Sequence, residues 1–136
     1  METIRQSVKI SIILLMIVSC GGRLAVVPDK YNLDDQLENV HNIPSLKMMS
    51  WNIVDNQSLI LQTGPCDYFL IVLDSKAPSL SCADSIRISN GFNFISPGYN
   101  NVIVNDDGWE DACQINKIYR LKDFRQAEAI RAQLGR

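Results

Sequence analysis

Six apolar residues run without a break from Tyr68 to Leu73, bounded by Gly64-Pro65 before and Asp74-Ser75 after. A surface helix would interleave polar residues every three or four positions, and a half-exposed strand would alternate. A short unbroken run rich in aromatic and β-branched residues predicts a central strand buried on both faces. Shorter strand-like runs surround it. They are Met48–Val54, Leu59–Leu61 after the turn pair Asp55-Asn56, Ser85–Ser89, Phe92–Ile95, Val102–Val104 and Cys113–Leu121. In the last of these, Cys113, Ile115, Tyr119 and Leu121 fall on one alternating face. Asn90-Gly91 is a strong hairpin signal between its two neighbours. Pro97-Gly98 and Asp106-Asp107-Gly108 mark further turns. About seven short strands, with a turn every roughly 8–12 residues, predict a mainly β (α+β) domain. The expected form is a small antiparallel sandwich or partly open barrel.

The chain ends differently. Phe124, Ala127, Ile130 and Leu134 recur at helical spacing, Asp123 is a candidate cap with Gln126 three residues on, and Gly135 is a candidate stop. A C-terminal amphipathic helix packed on the sheet is expected. Arg125, Glu128 and Arg131 lie on its other side, where i,i+3 pairing is possible.

At the other end, Arg5 and Lys9 precede Ile10–Val18, which is apolar apart from Ser11. Nine helical residues span about 14 Å, and a bilayer core measures roughly 30 Å. The stretch therefore has the proportions of a secretory h-region rather than a membrane span. It runs into Val18-Ser19-Cys20-Gly21, which resembles a bacterial lipobox. That resemblance implies a signal peptide at residues 1–19, lipidation (palmitate included) of Cys20, and attachment to the membrane by acyl chains. Gly21 after the cysteine resembles the pattern sorted to the outer membrane, which places the domain in the cell envelope, facing the periplasm. Residues 20–45 are expected as a lipidated tether, broken by Pro28 and Pro44 and reaching about 25 Å. Within it, Leu33–Val40 has the makings of a helical turn or two. The compact domain is expected over 46–136.

The order Leu33–Glu38, Ser50-Trp51, Val54–Leu61, Tyr68–Leu73, Leu80–Ile86, Gly98–Val104 and Ile115–Leu121 is similar to a family of small proteobacterial lipoproteins that carry a domain of unknown function. The motifs are packing motifs, so the resemblance implies a location and a domain outline and transfers no catalytic residue. The chain departs from the family pattern in places. Many members have a cysteine after the central strand, where Ala77 stands here, and many have Asp where this chain has Asn100.

Beyond Cys20 there are three cysteines: Cys66, Cys82 and Cys113. In an oxidising compartment one disulfide and one leftover thiol are expected, and the residues leave all three pairings open. The family resemblance implies a slight preference for Cys82–Cys113. No C-x-x-C occurs, which argues against a thiol oxidoreductase.

Charge and motif point away from several activities. Thirteen basic residues face fifteen acidic ones, a net of −2, with no basic excess for nucleic acid. The single histidine, His41, falls in the expected tether, and no Gly-x-Ser-x-Gly elbow exists to make it part of a hydrolase. Zinc chemistry lacks ligands, and an EF-hand centred on Gly108 would need ligands at Ile103 and Gln114. No enzyme, metal or cofactor is expected. A lipid-anchored binding or accessory module is, with an envelope protein as partner. The alternatives are a small-ligand carrier and a carboxylate-based enzyme. Of the aromatics, Trp51, Tyr68, Phe92, Phe94, Tyr99 and Tyr119 are assigned mainly to the core. Trp109 is either core or edge packing, or an exposed contact residue with Asp107 and Glu110 beside it.

Overall fold

The computed structural model describes residues 26–44, 48–89 and 94–135. The expected leader, Cys20, Phe92 and the Asn90-Gly91 pair lie outside these residues. A 3-10 turn at Asp29–Tyr31 opens the fold, followed by β1 (Glu38–Asn39), β2 (Ile43–Pro44), β3 (Ser50–Asp55), β4 (Ser58–Gly64) and β5 (Asp67–Leu73). A 3-10 helix at Pro78–Cys82 leads to β6 (Ser85–Ile88), β7 (Phe94–Ile95), β8 (Asn101–Asp106), β9 (Trp109–Leu121) and helix α1 (Phe124–Leu134). The main sheet is antiparallel in the order β3-β4-β5-β9-β8-β6, with β1 added to β9, and β2 pairs β7 separately. The sheet curls into a half-barrel, the partly open form of the expected β fold.

The central strand is where its composition puts it. Phe69, Ile71 and Leu73 face one core cluster, with Leu59, Leu61, Val104 and Ile115. Leu70 and Val72 face a second one, with Tyr31, Leu33, Tyr119, Ile130 and Leu134. The first fills the concave side under the 3-10 helix and the β2–β7 pair. The second fills the convex side under α1 and the amino-terminal segment.

β9 organises the molecule. Its first half pairs β8, with Asn101 opposite Gln114 and Asp106 opposite Trp109. Its second half pairs β5, and there the register slips, since Val72 faces Lys117 while Leu73 faces Ile115. Asn116 is the extra residue of a β-bulge. The slip turns over the expected one-sided alternation. Cys113 and Ile115 point to the concave core, whereas Tyr119 and Leu121 point to the convex one.

Four further expectations are corrected. Residues 27–44 are not tether. Tyr31, Leu33 and Leu37 are buried, β1 pairs Tyr119 and Arg120, and Ile43 is fully buried. In place of the expected helical turns at Leu33–Val40 there is one turn, the Leu37 amide reaching the Leu33 carbonyl at 2.8 Å, before the chain extends into β1. Second, β6 does not form a hairpin with β7, because its ladder is taken by β8 (Ile86 opposite Val104), while β7 pairs β2. Third, Phe124 is exposed; it sits at the mouth of α1 against Tyr68, ring centroids 6.3 Å apart. Ala127, Ile130 and Leu134 carry the buried stripe instead.

Fourth, Cys66, Cys82 and Cys113 are free thiols rather than one bonded pair and one leftover. Cys66 sits in the β4–β5 turn, before Asp67, while Cys113 lies beyond the opposite end of β5, roughly 30 Å away at strand rise. A disulfide spans only about 4–7 Å between Cα atoms. Cys82 is exposed, on the outer side of a 3-10 helix whose Leu80 and Ala83, one turn apart, face the core that holds Cys113.

Candidate functional site

The β8–β9 turn is tight. Asp107 has φ 48° and Gly108 φ 86°, the two positive values of a type I′ hairpin, for which Asp-Gly is among the best pairs. Side chains brace it: Asn105 Oδ1 accepts the Gly108 amide at 3.2 Å, and Asp84 Oδ2 accepts the Asp107 amide at 2.9 Å. Trp109 is the first residue after this braced turn and is 82% exposed. Asp107, Glu110 and Asp111 around it are exposed as well. Glu110 accepts from Arg87 on β6 at 3.3 Å, and Asp111 accepts from Ser79 Oγ at 2.8 Å. Trp109 and Glu110 are consecutive on β9 and so point to opposite faces of the sheet: the sequence-predicted trio gathers at the tip of one acidic hairpin, with the indole and the Glu110 carboxylate on different sides. Tyr99, also exposed, lies before β8 at the other end of that hairpin, so it does not extend the surface. Cys113, half-buried two residues further along, has its thiol pushed up by burial and by the Asp111 charge, which makes it a poor nucleophile.

A second site was not visible in the sequence. On one edge of β9 the neighbour changes: β8 ends where the Ile115 amide reaches the Asn100 carbonyl, and β1 takes over where Val40 reaches the Ile118 carbonyl. The changeover leaves a cleft of about 400 Å³ at the bulge, lined by Asp29, Asn32, Asn39, His41, Asn116 and Lys117, with Val26 and Val27 at one side. Asn39 Nδ2 donates to Asp34 Oδ1 at 3.3 Å, and Asn116 Nδ2 donates to Asp74 Oδ1 at 2.6 Å. Lys117 Nζ stands 4.0 Å from Asp34 Oδ2. His41, expected as a solvated tether residue, is exposed on the cleft's rim. No local signal marks these residues. They meet because of a register slip between strands more than forty positions apart.

Behind the cleft a buried polar network holds the amino-terminal segment. Tyr31 Oη donates to Asp55 Oδ2 at 2.6 Å, and Tyr119 Oη accepts the Leu33 amide at 3.2 Å. Burial, then the Asp55 hydrogen bond, pushes Tyr31 up to about 12. Burial works against ionised Asp55, but hydrogen bonds from Tyr31, the Gln57 amide, Lys30 and Ser58 outweigh it and hold the carboxyl below its ordinary value.

Among the described residues, no three His, Cys, Asp or Glu side chains converge to hold a metal ion. Asn100 uses its amide group: Nδ2 donates to the Ser89 carbonyl at 2.7 Å, a bond a carboxylate could not make. No curated protein and no solved structure matches the chain. A family model does match, from residue 7 to residue 136, and the chain belongs to that family, DUF6491, a family of unknown function.

Proposed function

We propose that the protein is a lipid-anchored, non-enzymatic binding module of the bacterial envelope, held to the outer membrane through Cys20 and docking an envelope protein through the β8–β9 hairpin. The observation that carries the docking is Trp109, 82% exposed on a turn braced by Asn105 and Asp84. Tryptophan is a favoured interface anchor, and the braced turn holds the backbone that carries it. Its acidic setting repels anionic lipid, so the complement is a protein with an apolar slot rimmed by Lys or Arg. The lipobox-like Val18-Ser19-Cys20-Gly21 supports the anchor. The alternative of a carrier with an interior site is disfavoured, because the concave face is filled by Leu59, Ile71, Leu73, Val104 and Ile115.

In-cell photocrosslinking from position 109 tests the docking. A single partner is expected, and the same crosslink should disappear when Asp107 and Glu110 are both changed to Lys. Equal capture from position 99 on the far end of the hairpin would overturn the reading. Trp109→Ala should shift unfolding stability by less than about 1 kcal/mol, since surface positions rarely matter more. Intact mass of membrane extracts should begin at a triacylated Cys20, and an unmodified amino terminus would remove the anchor.

A further inference from the structure

We propose that the cleft at the β9 bulge is a binding site for a neutral, hydroxyl-rich ligand of saccharide type. Its size comes first. About 400 Å³ falls within the roughly 300–1,000 Å³ of small-molecule sites, and the cleft lies where the sheet changes neighbours rather than in an accidental surface dip. Bulges are often found beside such sites, because the extra residue re-aims a side chain, here Asn116.

The chemistry of the lining selects the ligand. Asn32 offers an acceptor and two donors, and Asn39 an acceptor and the one donor that Asp34 does not take, while Asn116, engaged by Asp74, lines the cleft beside them. An alcohol group both donates and accepts, so carboxamides match it in either sense, and the Asp29 carboxylate accepts from a vicinal pair of hydroxyls. Charge disfavours an anion. Lys117 Nζ lies 4.0 Å from Asp34 Oδ2, and Asp29 lines the same cleft, so no positive surplus is left for a phosphate or carboxylate. Val27, packed on the second core cluster, adds an apolar surface to the lining.

Two of the carboxamides are held in place without ligand, Asn39 by Asp34 and Asn116 by Asp74. Asp34 is itself held by the Tyr119 hydroxyl at 3.1 Å. The Asn39 carboxamide is therefore oriented in advance, which lowers the cost of binding through its remaining donor and its acceptor. No aromatic ring lines the cleft to stack on a sugar, so affinity in the millimolar range is expected.

His41 makes the test direct, since it is the only histidine in the chain and lies on the rim. Its ring C–H signals are followed by NMR in the purified soluble form while maltotriose, chitotriose or citrate is added. A saturable shift with a saccharide and none with citrate is expected. Asn39→Leu should weaken it about tenfold, one hydrogen bond's worth, with the backbone amide spectrum unchanged elsewhere. Trp109→Ala should leave it intact, which separates this site from the hairpin. No shift with either saccharide, or an equal shift with citrate, would overturn the proposal.

Discussion

Tyr31 and Tyr119 show how much single hydroxyls do here. Tyr119 Oη accepts the Leu33 amide and lies 3.1 Å from both the Tyr31 carbonyl and Asp34 Oδ1, on a side chain that is fully buried. Tyr119→Phe leaves the Leu33 amide inside the protein without its partner, which costs about 1–3 kcal/mol; urea unfolding measures it. Asp55 and Tyr31 give the molecule two pH limits. Asp55 titrates below its ordinary 3.8 in the fold, so its contribution is complete above that value and is lost as pH falls through the folded one. Tyr31 is raised from 10.0 to about 12, so its contribution is complete below pH 10 and is lost as pH climbs toward 12. Unfolding midpoints should therefore fall at both ends, and Asp55→Asn should flatten the acid limb. Residue-scale legibility was uneven for a physical reason. Trp109 stands next to its own turn, so Asp107-Gly108 announces it. Tyr31 depends on Asp55, twenty-four positions away, and nothing near either residue reports the other.

At the scale of elements, the strands were legible and their partners were not. Every expected strand from Met48 to Leu121 overlaps an observed one, because apolar alternation is local. The Asn90-Gly91 signal argued for β6 against β7, but β6 buries Ile86 only by pairing β8, and that long-range gain decides the ladder. The helix was legible to its cap. Asp123 Oδ1 accepts the Gln126 amide at 2.8 Å, and Gln126 Oε1 reaches back to the Lys122 amide at 2.7 Å, one residue earlier than the capping-box pattern. Asp123→Ala should cost about 1 kcal/mol by thermal melting. Ile130→Ala should cost about 2–5 kcal/mol, since Ile130 fills the convex core from the centre of α1. The bulge at Asn116, and with it the cleft, could not be read from alternation. A one-residue slip is invisible until two strands are laid side by side.

For the whole molecule, the amino-terminal segment and the cysteines alter the outline most. The packed domain starts near Val27 rather than Leu46, which leaves residues 21–26 as the stretch of sequence between it and Cys20. Without reductant, an alkylating reagent should label all three of Cys66, Cys82 and Cys113, the first two quickly and Cys113 slowly because it is half-buried. Protection of two of them together would restore a disulfide.

The amino-terminal strap also decides how the domain bears load. A pull on the chain from its front end reaches Tyr31 first, which is tied to β3 through Asp55, and then Leu33, Leu37 and β1, which are seated on β9. Tension is thus delivered to the longest interior strand and shared with the sheet's far edge, instead of peeling one edge ladder open a bond at a time. The domain is fastened the way a climber is, by a harness around the trunk rather than a grip on one limb.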